Sequence, residues 1–238
     1  MNVRHALLGI VLLMCSVSVR ADICDAKFFQ NGGLIEITGK GIVQVSARMT
    51  FSQVKKTGKQ SCQAQVKGNA SYALFGMLTG AADLDHVLTA DALQAKLVKK
   101  SGTAHTAEAE AFDMQMVSIF GYGTEIRTVG QRLPPHNFRL AIGDPRKGPT
   151  TALTVRVGEK IVGTRQSIDT ALGPQLCWPV RYPRGTEQTM ANVRGVMIAI
   201  PAVQSYVTDW YCPTVSLVMK QEIEQAGQRA VIEVKTVR

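Results

Sequence analysis

Five cysteines stand at positions 15, 24, 62, 177 and 212, and the residues around the first decide how the other four are read. Arg4 and His5 precede the apolar run Ala6–Met14, and Ser16-Val17-Ser18 leads on to Val19-Arg20-Ala21. A basic start, an apolar run too short to span a bilayer, and Val19 and Ala21 at the −3 and −1 positions make a secretory signal, with cleavage expected after Ala21. Leu12-Leu13-Met14-Cys15 also places a cysteine after an apolar triplet, but Met14 stands where lipoprotein processing usually wants a small residue. Cys15 therefore leaves with the signal. Residues 22–238 keep the even set Cys24, Cys62, Cys177 and Cys212, which predicts two disulfides in a periplasmic protein. Three pairings are open. Locality favours Cys24 with Cys62 and Cys177 with Cys212, two loops of similar length that leave the long stretch from Cys62 to Cys177 unbridged. In the chain-entropy account each such bridge contributes about 3–4 kcal/mol.

The 27 Lys+Arg and 18 Asp+Glu give the 238 residues a net charge of +9. Losing Arg4 and Arg20 with the signal still leaves a basic chain. Its basic clusters, Lys55-Lys56, Lys99-Lys100 and Arg146-Lys147, are short, flank turn residues and have no stacking aromatics interleaved. Solubility and a diffuse attraction to envelope anions explain them, and no nucleic-acid partner is expected. With 45% hydrophobic residues the chain can bury a core, and once the signal is removed no integral membrane span is expected.

The hydrophobic period is mostly two. Leu34–Thr38 and Ile42–Phe51 flank Gly39-Lys40-Gly41, and Val43, Val45, Ala47, Met49 and Phe51 alternate with polar residues. Lys55–Lys59 reads as a turn into Ser61–Lys67, a hairpin. Thr151–Val157 and Lys160–Ile168 flank Gly158-Glu159 as a second hairpin, and strands follow at Trp178–Tyr182, Gly195–Ile200, Tyr206–Tyr211 and Gln228–Val237. Thr89–Leu97 predicts a short helix with Thr89 as its N-cap, and Asp83-Leu84-Asp85-His86 reads as a helix start rather than a metal corner. Ala107–Met116 fits strand or helix. The fold class is mainly β, an antiparallel sandwich or curved open half-barrel with one or two short helices. Residues 22–238 make a single β-rich domain, or two subdomains split near the linker-like stretch 134–149.

Trp210-Tyr211-Cys212-Pro213-Thr214-Val215-Ser216-Leu217-Val218-Met219-Lys220-Gln221-Glu222 resembles the segment that closes the curved sheet in bacterial envelope proteins of the LolA-like open-barrel type. Trp210, Tyr211, Pro213, Leu217, Val218 and Glu222 carry the likeness over roughly the last 30 residues. Ser216 replaces the usual glycine, and Cys212 is an addition. The resemblance implies a half-barrel whose concave face holds a lipid or another apolar ligand. Cys177-Trp178-Pro179-Val180-Arg181-Tyr182 would lie against this segment if Cys177 and Cys212 pair, so that Trp178, Tyr182, Trp210 and Tyr211 form either an aromatic core corner or the wall of a ligand-binding groove.

No G-x-S-x-G elbow, Walker loop, G-x-G-x-x-G or C-x-x-C is present, so no catalytic residue, metal or cofactor is expected. The expected function is that of an exported, non-enzymatic, disulfide-stapled β module that binds an apolar ligand or lipid. One alternative is an envelope interaction or inhibitor module without a pocket. The other is a hydrolase-like enzyme whose site is assembled from distant strands, with His86, His105 or His136 brought beside an acid.

Overall fold

The computed structural model describes residues 23–74, 78–91, 95–99, 118–122, 124–142, 151–193 and 196–238. The expected signal segment, His105 and the ambiguous Ala107–Met116 lie outside them. Within them the chain is mainly β and antiparallel. The only helical turn among the described residues is the 3-10 turn Ile23–Asp25, and none of their helices is long and apolar enough to cross a membrane.

Strands β1 (Leu34–Gly41), β2 (Val43–Lys56), β3 (Cys62–Leu74), β4 (Leu78–Ala90) and β5 (Ala95–Lys99) form a meander. The alternation expected in β2 is realised, because Val43, Val45, Ala47, Met49 and Phe51 are buried and the polar residues between them are not. The expected helix at Thr89–Leu97 is not formed. Thr89 and Ala90 end β4, and Ala95–Leu97 lie in β5, paired as Leu88↔Leu97, Thr89↔Lys96 and Ala90↔Ala95. The Thr89 hydroxyl donates to the Lys96 carbonyl at 3.4 Å instead of capping a helix. Partners on β4 outweigh the weak local helix propensity. Asp83–His86 is likewise strand, with Leu84 and His86 turned inward and the two aspartates outward.

The second half begins with β6 (Arg132–Leu133), β7 (His136–Ile142), β8 (Thr151–Val157) and β9 (Lys160–Val162). These lead to β10 (Gln166–Thr170) and β11 (Gly173–Thr186), and then to β12 (Thr189–Val193) and β13 (Val196–Ile200). It closes with β14 (Val203–Cys212), β15 (Leu217–Gln225) and β16 (Gln228–Val237). The hairpin expected across Gly158-Glu159 is not formed. Both β8 and β9 pair with β11, as Val157↔Arg184 and Ile161↔Arg181, and so run on as one line with a bulge between them. Gly158 donates to the Pro183 carbonyl at 2.9 Å, and a Cβ there would stand 2.6 Å from the Pro183 ring, so close approach and not a reversal requires the glycine. On the other side of this line β6 pairs with β9 and β7 with β8 in one register. Pro134 and Pro135, having no N–H, interrupt that ladder. His136–Ile142, part of the expected linker, is thus a strand of the main sheet.

The main sheet runs β5-β4-β3-β2-β1-β16-β15-β14-β11-β8-β7, with β1 and β16 joining its two halves. Leu34 and Arg238 exchange both backbone hydrogen bonds, at 2.7 and 3.1 Å. The sheet is open but curled, and most of its inner side chains form one long core, including Ile35, Met49, Leu140, Val207 and Ile223, with smaller clusters around Leu153 and around Val180. The curl brings β3 and β4 to β7, where the Tyr72 hydroxyl donates to the Ala141 carbonyl. Among the described residues a side-chain contact, not a backbone ladder, holds this seam. Opposite Tyr72 in β4 is Gly80, where a Cβ would fall 2.3 Å from the ring. Tyr72→Phe is expected to cost about 1–3 kcal/mol by leaving a buried carbonyl without its donor. Gly80→Val, which evicts the ring, is expected to cost at least as much. Urea unfolding of both variants checks this, and an unchanged Tyr72→Phe midpoint would show that the bond does not hold the seam.

Both disulfides form with the locally favoured pairing, Cys24–Cys62 and Cys177–Cys212. The first fastens the turn before β1 to β3, beside the Phe28–Phe51 ring contact with centroids 5.2 Å apart. The second ties β11 to the end of β14. Beyond Cys212 the turn into β15 holds Ser216 at φ 55°, a left-handed conformation that glycine adopts at lower cost.

Candidate functional site

The site grows from the ladder between β11 and β14. Its register pairs Trp178 with Tyr211, Val180 with Asp209, Tyr182 with Val207 and Arg184 with Ser205, and paired residues share a face. Pro179 and Trp210, with the bridged Cys177 and Cys212, alternate to the other face. The four aromatics of the expected ligand wall are therefore divided. Trp178 and Tyr182 are buried on one face, with half-buried Tyr211 beside them. Trp210 is buried on the other, its Nε1–H donating to Glu222 Oε2 at 3.3 Å.

In the middle of the first face is a buried polar cluster. Asp209 is 0% exposed, and its carboxylate accepts from Tyr122 Oη at 2.8 Å, Tyr182 Oη at 3.0 Å and Gln221 Nε2 at 2.7 Å. Lys160 on β9, itself buried, holds its ammonium 5.2 Å from the Tyr122 ring centroid and 5.0 Å from that of Tyr182. It also lies 3.4 Å from His136 Nδ1, which accepts from an ammonium when the ring is neutral and protonated on Nε2. Burial pushes the Asp209 carboxyl up, against the three hydrogen bonds and the Lys160 charge that favour its ionised form. Burial pushes Lys160 down, against the attraction of Asp209. Burial, then the Asp209 charge, holds Tyr122 and Tyr182 well above the ordinary phenol range.

Of the histidines expected to meet an acid, His136 joins this cluster through Lys160, whereas His86 is buried in β4. Burial, then the Lys160 charge, lowers the His136 pKa from its usual 6.5. The unfolded chain then binds the proton more tightly, so this group's contribution to stability falls as pH drops through 6.5 and goes on falling until the folded value is passed. The thermal midpoint of the wild type is expected to fall more steeply than that of His136→Gln between pH 7 and pH 5. Parallel profiles would remove His136 from the linkage.

Beyond Tyr182, on the same face, the curled sheet encloses an apolar cavity of about 70 Å³. Val43, Phe138, Leu140, Leu153, Val155 and Ile200 are among its walls, while Arg184, Thr186, Ser205 and Gln225 bring polar groups to it. Arg184 is the only cation among its described lining residues, and there is no carboxylate. None of Trp178, Tyr182, Trp210 or Tyr211 is in that lining. The space is that of about two waters. Among the described residues no group of three or more His, Cys, Asp or Glu side chains could hold a metal ion.

Sequence reasoning missed Asp209, Lys160, Gln221, Tyr122 and Arg184. Asp209 did leave a signal: Val207, Asp209 and Tyr211 share one phase of an alternating strand, so the acid occupies an inward position. Tyr122 left none, because it reaches the cluster from a connecting segment.

These features define an open, curled antiparallel β protein stapled by two disulfides, the kind of bond an oxidising compartment sustains. No family model and no curated protein matches the chain. Solved structures do, among them these three. One is a protein described as exported, with a YmcC-like fold, from Bacteroides fragilis, at 11% identity and TM-score 0.45, covering 90% of this chain and 99% of that one. A second, described as a lipoprotein, is from Parabacteroides distasonis, at 12% identity and TM-score 0.46, covering 90% and 100%. The third is the hypothetical lipoprotein YmcC from Escherichia coli, at 9% identity and TM-score 0.37, covering 86% of each chain. None of the three is described as LolA-like.

Proposed function

We propose that this chain is an exported, non-enzymatic periplasmic protein that binds an apolar ligand on the concave face of its curled sheet. The observation that supports this most is the apolar cavity between Val43, Phe138, Leu140, Leu153, Val155 and Ile200, walled by strands from both halves of the chain. Its volume of about 70 Å³ receives a chain end or another small apolar group. Sites for whole drug-sized ligands run to roughly 300–1,000 Å³. A longer ligand therefore needs the Tyr72–Ala141 seam to part. In this reading Trp178, Tyr182 and the half-buried Tyr211 extend the concave face beside the cavity, and Trp210 backs the wall from the other face.

The rival reading, a docking module without a ligand, has one observation in its favour. Strands β12 and β13 form a separate two-stranded sheet that packs Ala191 and Ile200 against Ile142 and Leu153 but leaves Met190, Val196 and Met197 48%, 62% and 57% exposed. Titration with an environment-sensitive apolar dye separates the two readings. Val203→Phe, which fills the cavity from its half-buried rim, is expected to weaken dye binding about tenfold or more without lowering the thermal midpoint, while Met197→Glu leaves it unchanged. Loss of dye binding in Met197→Glu alone would move the function to the hairpin.

A further inference from the structure

Strands β11 and β14 pair from Trp178↔Tyr211 to Thr186↔Val203, and β12 and β13 pair from Thr189↔Ile200 to Val193↔Val196. Two residues lie between the ladders on each side, Glu187-Gln188 and Pro201-Ala202, so the register passes through the gap unchanged. The two ladders are one long hairpin, broken toward its tip. Pro201 brings no N–H to the break, and the last bond before it is irregular, since the Val203 N–H donates to the Thr186 hydroxyl at 3.2 Å. Gln188, Pro201 and Ala202 are exposed. A short stretch of this kind, at the ends of two elements, is where a hinge takes up its backbone rotation.

Beyond the break the arm made by β12 and β13 folds onto β7 and β8. Its inner row presses Ala191 and Ile200 onto Ile142 and Leu153, with half-buried Ile198 beside them, in a cluster separate from the long core. Met190 and Met197 belong to the outer row and are exposed, so lifting the arm uncovers nothing there. The described contacts that hold the arm and its hinge are few. Besides the apolar cluster they are the Glu187 N–H donating to the Thr154 carbonyl at 3.1 Å and an exposed ion pair in which Arg156 Nε donates to Glu187 Oε1 at 2.7 Å. Ile200 of the arm and Leu153 beneath it are also walls of the cavity. Parting of the Tyr72–Ala141 seam makes room for a longer ligand, whereas lifting the arm takes a wall away.

We infer that β12 and β13 form a hinged gate, shut in this structure, and that lifting it about Glu187-Gln188 and Pro201-Ala202 is how an apolar ligand enters and leaves the cavity. This rests on the cavity being the ligand site. When the arm lifts, Ile200 leaves the wall and Leu153 is bared, while Val43, Phe138, Leu140 and Val155 stay with the main sheet. The gate closes again because Ala191, Ile198 and Ile200 have no other apolar surface in the described cluster to bury against.

The test follows the fluorescence of the apolar dye on mixing with the oxidised protein and on dilution of the complex, which gives the association and dissociation rates separately. Neither Ala191 nor Glu187 lines the cavity. Ala191→Asp puts a charge into the apolar cluster under the arm, and Glu187→Gln removes the ion pair at the hinge. Both rates are expected to rise together, about tenfold or more in Ala191→Asp and about two- to fivefold in Glu187→Gln, while their ratio moves less. Met197→Glu, which sets the same kind of charge on the outer row, is expected to keep the wild-type rates. Dye binding at wild-type rates in both Ala191→Asp and Glu187→Gln would overturn the gate and leave the cavity in place. If Ala191→Asp does not fold, Glu187→Gln decides alone: faster rates uphold the gate and unchanged rates overturn it. Equal acceleration in Met197→Glu would overturn it too, because that charge loosens no contact beneath the arm. Failure of the dye to bind the wild type at all would remove the cavity reading on which the inference rests.

Discussion

Asp209→Ala is expected to lower the unfolding free energy by about 3–5 kcal/mol. The loss is not that of one hydrogen bond. Removing the carboxylate takes away the acceptor that the Tyr122 and Tyr182 hydroxyls share and one acceptor of the Gln221 amide, and it removes the negative charge that faces the buried Lys160 ammonium. Asp209→Asn keeps the shape and one acceptor, so its cost should fall between that of alanine and wild type. Lys160→Met in the Asp209→Ala background removes the stranded charge and is expected to recover part of the loss. Urea unfolding of the two single variants and the double variant closes the cycle and isolates the coupling. A cost under about 1 kcal/mol for Asp209→Ala would mean that Lys160 finds water without disturbing the sheet.

Replacing Cys177 and Cys212 together by alanine should cost about 3–4 kcal/mol, the loop-closure value for a separation of 35 residues. The bridge crosses from β11 to the end of β14 next to the pairs Trp178↔Tyr211 and Pro179↔Trp210, so both tryptophans of the chain report on it. Their fluorescence should shift in this variant under conditions where it remains folded. The matching Cys24–Cys62 variant, with a separation of 38, should lose similar stability without the tryptophan change. A tryptophan shift in the Cys24–Cys62 variant instead would mean that the two bridges are coupled across the sheet.

What could be read before folding was whatever is local or repeats with period two. The inward row of β2, the first hairpin, the closing strand Gln228–Val237 and both disulfide pairings follow from alternation and from loop length. Failures came where distant partners overrode local signals. Thr89–Leu97 has passable helix formers, but β4 and β5 satisfy each other's backbone groups. Gly158-Glu159 looks like a turn, yet the glycine is there because Pro183 presses on it. Pro134-Pro135 looks like a linker, and the prolines merely interrupt a ladder that resumes at His136. The Cys177–Cys212 bridge sets Trp178 beside Tyr211 and Pro179 beside Trp210, but strand alternation sends Trp210 to the face opposite Tyr182. The cluster around Asp209 draws on six separate segments, β7, β9, β11, β14, β15 and the connection that holds Tyr122, and a single charged letter at an inward phase is its only trace.

The ladder between β1 and β16 has a consequence for how such a chain is made. Glu36 and Thr236, 200 positions apart, share a hydrogen bond of 2.7 Å, and their strands lie near the middle of the sheet rather than at its rim. Closing so long a loop is entropically late, and topologies dominated by such contacts fold slowly. Each half can weave its own meander and oxidise its own pair of cysteines, but the two cannot be joined until residues 228–237 have emerged. A polypeptide with this order of events stays unfinished until its last strand is in place, and it acquires its curl, its seam and its cavity together, in one late step.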